Sequence, residues 1–113
     1  MSAITTHVLD TARGRPAAGV AVVLERRTAE RWSAVGRGET DADGRARDLM
    51  ADGAGLDPGV YRLTFDTGRY FAAQSVRTLY PSVVIVFEAA AGESHYHVPL
   101  LVGPFGYTTY RGS

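Results

Sequence analysis

Apolar and polar side chains alternate over short segments of this chain, and glycine, proline or aspartate interrupts each segment before the next begins. A period of two places successive side chains on opposite faces, as in a half-buried β-strand. In the first segment, His7 falls on the face opposite Ile4 and Val8. Strands are predicted over residues 3–9, 19–26, 32–40, 60–65, 83–88, 94–101 and 107–111. A set of about eight short strands separated by turns predicts an all-β sandwich.

Two connections between the predicted strands carry local signals of their own. Residues 69–78 lack glycine and proline and predict one short helix, which Pro81 prevents from continuing. The Asp43-Gly44 pair predicts a tight hairpin, because both residues tolerate positive φ. Arg45 follows that turn directly.

The composition is that of an ordinary globular protein, with 45% apolar and 21% charged residues. The length of 113 residues predicts a single domain over 1–113. A domain of this size has little room for a deep internal pocket, so we expect a ligand to bind in a cleft between subunits. The formal charge of zero and the lack of a basic run argue against a nucleic-acid partner.

The sequence shows no targeting signal. Its first residues have neither the charged region nor the long apolar run of a signal peptide, and no segment is long enough to span a membrane. It contains no cysteine, so it has no disulfide and gives no sign of an oxidising compartment. We therefore expect a cytoplasmic protein without a membrane partner.

The three histidines are the first candidates for chemistry. His95 and His97 lie two residues apart, which places them on one face of a predicted strand, and His7 could add a third nitrogen to form a three-histidine zinc site. A histidine can also serve as a general acid or base near neutral pH. The third alternative is a surface or hydrogen-bonded structural role. The residues alone do not separate these alternatives, although the lack of cysteine and of a His-Glu pair weakens the case for a metal.

Cationic and aromatic residues are the second group of candidates. Arg45 and Arg47 could form a bidentate clamp on a planar, carbonyl-rich ligand, or could be solvated charges at a strand end. Tyr110 and Arg111 could equally be ordinary residues of an edge strand. Ser113 adds a hydroxyl and an α-carboxylate after a glycine that permits close backbone approach. The sequence contains no nucleophile elbow, phosphate loop or dinucleotide fingerprint.

Three stretches in a fixed order carry a resemblance to a known family. They are Thr6–Asp10 with Gly14–Ala17, Thr40–Arg45, and His95–Leu101 with the closing Tyr110–Ser113. On these stretches the chain resembles the transthyretin-like 5-hydroxyisourate hydrolases of purine breakdown over essentially its whole length. The closing Tyr-Arg-Gly-Ser tetrapeptide separates these hydrolases from the hormone-carrying transthyretins, which share the fold.

The resemblance implies a two-sheet sandwich of eight strands and a homotetramer with active sites in a channel between dimers. It implies hydrolysis of 5-hydroxyisourate at a ring amide, which yields 2-oxo-4-hydroxy-4-carboxy-5-ureidoimidazoline, with no metal and no cofactor. The implied catalytic residues are His7, Arg45, His97 and Ser113. The implied substrate-binding residues are His7, Arg45, Tyr110 and Arg111.

The residue types suit this reaction. His7 or His97 would activate the attacking water, Arg45 would stabilise the charge that develops on the carbonyl oxygen, and the sequence does not decide between the two histidines. Two other classes of function remain as alternatives. One is a transthyretin-type carrier of a small ligand without catalysis, and the other is a structural or accessory β-sandwich domain.

Overall fold

The computed structural model describes residues 2–113. Within that range the chain forms nine strands and one helix. In chain order they are β1 (Ile4–Asp10), β2 (Arg15–Pro16), β3 (Ala21–Thr28), β4 (Arg31–Glu39), β5 (Arg45–Ala46), β6 (Gly59–Phe65), α1 (Thr67–Ala72), β7 (Val83–Ala89), β8 (Tyr96–Gly103) and β9 (Gly106–Thr109). The one helix in this part of the chain is not long and apolar enough to cross a lipid bilayer.

The strands form two sheets, which confirms the predicted β-sandwich. The first sheet has the order β2-β1-β8-β9, and β5 also pairs with β1. The second sheet has the order β4-β3-β6-β7. At the centre of the first sheet, β1 and β8 run parallel to each other. The two strands that the pattern did not predict, β2 and β5, have two residues each and are too short to show a period.

The core fills the space between the sheets. Ile4 and Val8 of β1 are fully buried, as the alternation predicted, and His7 on the opposite face is half-buried. The largest fully buried side chains are Tyr61, Phe65, Phe71, Ile4, Leu24, Leu49, Leu63, Leu100, Val8, Val20, Val22 and Val83. The alternation places Thr5 and His7 on the outer face of the first sheet, whereas the polar residues Thr6 and Asp10 lie on the buried face.

The predicted hairpin at Asp43-Gly44 is wrong. The strands on either side of it, β4 and β5, belong to different sheets, so the turn carries the chain from one sheet to the other. The two-residue hairpin lies instead between β3 and β4, at Ala29 (φ 49°) and Glu30 (φ 65°). Neither residue favours positive φ, so local propensity gave no sign of this turn.

The predicted helix at 69–78 is displaced and shortened in the structure to Thr67–Ala72. It starts early because the Asp66 side chain accepts a hydrogen bond from the N–H of Arg69 at 3.3 Å, which caps the first turn. It ends early because Ser75 adopts a φ of 60° and the N–H of Val76 donates to the carbonyl of Phe71.

The last two strands are also shorter than predicted at one end. His95 lies just before β8, and Tyr110 and Arg111 lie beyond β9. The chain then turns back, and Gly112 forms an isolated antiparallel bridge with His97. The end of the described chain is thus held against β8.

Candidate active site

The outer face of the first sheet brings the candidate residues together. In the register of the paired strands, Thr5 lies beside His97, and His7 lies beside Arg45. Residues next to each other across a strand pair have Cβ atoms about 5 Å apart, so their side chains interact. Residues that are about ninety positions apart in sequence therefore form one cluster.

The loop before β5 fixes the position of Arg45. The Asp41 carboxylate accepts hydrogen bonds from the N–H groups of Asp43 at 2.9 Å and Arg45 at 3.0 Å. Both bonds lower the pKa of Asp41, and the bond from Arg45 has the larger effect. Gly44 has a φ of 77°, and its carbonyl accepts a hydrogen bond from the N–H of Val8 at 2.7 Å. A Cβ atom at Gly44 would lie 2.3 Å from the Val8 carbonyl oxygen, so this close approach requires glycine.

Gly112 brings the end of the chain to the same place. Its N–H donates to the carbonyl oxygen of His97 at 2.8 Å. A Cβ atom there would lie 2.7 Å from Cδ2 of His97 and 3.2 Å from Cγ of Pro99. The glycine therefore allows the backbone to lie directly against the imidazole, and Ser113 reaches the cluster.

These elements enclose an open cleft of about 220 Å³. Its lining residues are Thr5, Thr6, Arg45, Arg47, His95, His97 and Ser113. Within residues 2–113, no hydrogen bond or ion pair engages the guanidinium groups of Arg45 and Arg47. The cleft thus presents two free cationic donors beside an imidazole, a combination suited to a planar ligand with carbonyl groups.

His97 is the titratable group that this environment changes most clearly. Burial lowers its pKa below the ordinary value of 6.5, and the nearby positive charges of Arg45, His7 and His95 lower it further. Its Nδ1 lies 2.8 Å from the hydroxyl of Thr5. At neutral pH the ring is therefore uncharged and has one basic nitrogen available for a proton.

His7 has one ring nitrogen committed to the loop. Its Nε2 lies 2.8 Å from the carbonyl oxygen of Asp43. A carbonyl oxygen only accepts, so Nε2 carries the hydrogen and donates it. His7 thereby stabilises the loop that holds Arg45, and it is not among the residues that line the cleft of one subunit.

Tyr110 and Arg111 line a different cleft, of about 290 Å³, between β7 and the residues after β9. The Arg111 guanidinium lies 4.1 Å from the ring centroid of Tyr96 and 3.4 Å from the Glu93 carboxylate. Its Nη2 also donates to the carbonyl of His95 at 3.3 Å. Within one subunit these two residues do not join His97, and their contact with a substrate stays a prediction.

Thr5 is the site residue that the sequence did not reveal. Its hydroxyl lies between the rings of His95 and His97, and its side chain is almost completely buried. The available signal was its place two residues before His7, on the same face of β1. Within residues 2–113, no group of three or more histidine, cysteine or acidic side chains could hold a metal ion.

A larger cavity of about 420 Å³ lies beside α1 and contains no histidine. Two of its four charged residues are engaged within the protein, since Arg13 Nη1 donates to Gln74 Oε1 at 3.0 Å and Asp66 caps the helix. The smaller cleft alone of these two combines unpaired guanidinium groups with a histidine, and the pKa of that histidine, His97, is lowered. Chemistry therefore favours the smaller cleft.

Comparison with known proteins shows what the chain is similar to. The HIUase/transthyretin family matches residues 4–112. A 5-hydroxyisourate hydrolase of Caulobacter vibrioides is 48% identical over 117 residues, with full coverage of both chains. The structure of Klebsiella pneumoniae 5-hydroxyisourate hydrolase superposes with a TM-score of 0.86 at 37% identity, covering 99% of this chain and 100% of that one. Transthyretin from Sparus aurata gives a TM-score of 0.90 at 33% identity, covering 99% and 97%.

Proposed function

The chain belongs to the HIUase/transthyretin family, and we propose that its His97 cleft hydrolyses 5-hydroxyisourate. It is an enzyme of urate degradation, similar to 5-hydroxyisourate hydrolases from bacteria and mouse. The observation that carries the proposed site is the meeting of Arg45, His97 and Ser113 in one cleft. Residues 1–113 act as one hydrolase domain in this proposal, and the absence of cysteine is compatible with work in the cytoplasm.

His97 is the general base in this mechanism. Its lowered pKa keeps the ring neutral at pH 7, so it can take a proton from water as the water oxygen bonds to a ring carbonyl carbon. The tetrahedral intermediate then collapses, the ring C–N bond breaks, and His97 returns the proton to the leaving nitrogen. The product carries the new carboxylate.

Arg45 stabilises the negative charge that develops on the former carbonyl oxygen. Its guanidinium has no protein partner within the described chain, so all of its donors are available to the ligand. Arg47 lines the same cleft and can hold another edge of the flat substrate. Fixed donors around a planar ligand place the carbonyl carbon next to the activated water.

The remaining predicted residues support His97 and Arg45. His7 holds the Asp43 carbonyl and so keeps Arg45 in place. Ser113 orients the water or the histidine through its hydroxyl. Tyr110 and Arg111 line a separate cleft, so in this proposal they reach substrate in a site that a neighbouring subunit completes.

We propose a homotetramer in which the active sites lie between dimers. The edge strand β7 presents Val84 and Val86 to solvent, 47% and 56% exposed, and β9 at the edge of the other sheet has no charged residue. The opposite edge strand, β4, carries Arg31, Arg37 and Glu39, a pattern that blocks edge pairing. β7 carries a single charged residue, Glu88 near its end, against three in β4, so β7 and β9 are the edges better suited to pairing with a second copy.

The alternative of a carrier without catalysis predicts binding without turnover. The similarity in fold to both a hydrolase and a transthyretin does not separate these functions. The neutral imidazole beside free guanidinium groups favours hydrolysis, because binding alone requires no group that accepts a proton from water.

The test is the ultraviolet decay of 5-hydroxyisourate, generated in place by urate oxidase, with and without chelator-treated protein. We expect decay far faster than the spontaneous reaction. Decay at the spontaneous rate from folded protein would contradict the proposal and support the carrier.

A further inference from the structure

The Thr5 hydroxyl contacts two imidazoles at once. Its oxygen lies 2.8 Å from Nδ1 of His97 and 3.3 Å from Nε2 of His95. Thr5 is only 4% exposed, so water has little access to its hydroxyl. Both rings lie along the same cleft. The arrangement is a continuous chain of three polar groups that ends at the proposed base.

Because Thr5 has a single hydroxyl proton, the two rings must take opposite roles in their hydrogen bonds with it. Thr5 can donate to only one ring nitrogen, so the other ring must carry a hydrogen and donate it to the hydroxyl oxygen. If His97 donates from Nδ1, its Nε2 has a free lone pair and Thr5 donates to Nε2 of His95. If Thr5 donates to His97 instead, the hydrogen of His97 sits on Nε2, and that nitrogen cannot act as a base.

We propose that Thr5 and His95 are positioning residues that act on His97 as a proton relay, an inference that rests on the proposed function. Before reaction, His97 Nδ1–H donates to Thr5, which donates to His95. When His97 Nε2 takes a proton from water, the Nδ1 proton moves to the Thr5 oxygen and the hydroxyl proton moves to His95 Nε2. One positive charge passes from His97 to His95, and no proton is gained or lost. The return transfer accompanies protonation of the leaving nitrogen.

The charges around His97 favour this transfer. Arg45 and Arg47 line the cleft at and just after β5, and Ser113 reaches it from the end of the chain. His7 of β1 does not line the cleft but is close enough for its charge to lower the pKa of His97. Three of these groups are cationic or can become so, and they disfavour an imidazolium at His97.

His95 lies in a different electrostatic setting. Its carbonyl accepts a hydrogen bond from Arg111, and the Glu93 carboxylate, 3.4 Å away from that guanidinium, offsets the charge. The cation beside His95 is thus compensated by an acidic residue, whereas no ion pair within residues 2–113 compensates Arg45, whose charge lowers the pKa of His97.

The tautomer of His97 tests the arrangement without any turnover. Long-range ¹H–¹⁵N spectra of the three histidine rings distinguish a hydrogen on Nδ1 from one on Nε2. We expect wild-type His97 to carry it on Nδ1, and Thr5→Val to shift it to Nε2. Thr5→Ser keeps the hydroxyl and should keep the wild-type tautomer. Thr28→Val, the same change on an exposed residue at the end of β3, should alter nothing.

Kinetics with 5-hydroxyisourate test the relay. We expect His95→Phe and Thr5→Val to lower kcat about tenfold or more, with little change in KM, since only the proton transfer is impaired. The acid limb of the kcat pH profile should move in both variants, and Thr5→Ser should restore wild-type behaviour. A structural role for Thr5 would lower stability without moving the pH profile.

Wild-type tautomer and wild-type kcat in Thr5→Val would overturn the relay. A hydrogen on Nε2 of His97 in the wild type would overturn the relay as well.

Failure of the proposed function gives a different result. The wild-type protein would then not accelerate 5-hydroxyisourate decay, while the spectra would still report whether Thr5 sets the His97 tautomer.

Discussion

At the scale of single residues, the candidate site depends on three contacts: the Thr5 hydroxyl on His97, the His7 ring on the loop carbonyl, and the Gly112 backbone against the imidazole. His7, Arg45, His97 and Ser113 were predicted from sequence because they belong to recognisable stretches. Thr5 was not, since a threonine in a strand is common and its contact lies ninety-two residues away. Tertiary neighbours determine such roles.

The first prediction concerns the charge on His97. With a pKa below 6.5, the imidazole stays neutral as pH falls to that value, so kcat/KM should decline only at lower pH. Removing the positive charge in Arg45→Gln should raise the pKa of His97 and move its titration to higher pH. Proton NMR titration of the ring measures this directly. Arg37→Gln on β4 is the control, and a wild-type His97 that titrates at or above 6.5 would refute the prediction.

The second prediction concerns Gly112. Gly112→Ala places a Cβ atom 2.7 Å from His97 Cδ2, so the end of the chain must shift away from the ring. A displacement of this kind can lower activity by roughly 100-fold. Gly106→Ala is the matched control, because nothing lies within 4 Å of a Cβ atom there. Equal kcat/KM values in the two variants would show that the contact with Gly112 has no role in the site.

At the scale of elements, the sequence pattern predicted the seven longer strands, and in β1 it also predicted the buried face of Ile4 and Val8. It could not reveal β2 and β5, which have two residues each and exist because β1 offers them a pairing edge. The Ala29-Glu30 turn and the early end of α1 were missed for a related reason. Strand pairing and packing there impose positive φ on residues that do not prefer it.

The third prediction tests how β4 supports the segment that follows Arg45. A Cβ atom at Gly36 would lie 1.8 Å from the carbonyl oxygen of Leu49, a backbone atom that cannot move without the segment. Gly36→Ala should destabilise the fold by about 3 kcal/mol. In Gly38→Ala, the new Cβ lies 3.5 Å from the Leu49 side chain, and the change should stay within about 0.5 kcal/mol. Urea unfolding measures the midpoints of the Gly36→Ala and Gly38→Ala variants, and equal midpoints would contradict this account of the packing.

At the scale of the whole molecule, the two clefts and the two edge strands with few charges, β7 and β9, are consistent with one assembly. The His97 cleft lies on the outer face of the first sheet, and the Tyr110 cleft lies beside the β7 and β9 edges. Pairing of these edges with a second copy would give each dimer two continuous sheets. The chain length suggested a site between subunits, but the tetramer was suggested only by family resemblance, because an exposed edge is a property of the folded chain.

The fourth prediction follows from that arrangement. Val86 lies in the middle of β7, so Val86→Glu brings two carboxylates together when two β7 edges pair around a two-fold axis. Sedimentation should give four times the 12.1 kDa chain mass for the wild type and a smaller species for this variant. Ser33→Glu, on the charged edge strand β4, should leave the mass unchanged. A monomeric wild type would contradict the assembly.

The measurement that tests the central claim most directly is 5-hydroxyisourate turnover by His97→Asn and Arg45→Ala, with Arg37→Ala as control. The account predicts that each of the first two variants stays folded and loses activity by about 100-fold, since one removes the base and the other the charge that stabilises the intermediate. Arg37→Ala should keep wild-type rates. Near-wild-type turnover in both cleft variants would show that the reaction takes place elsewhere.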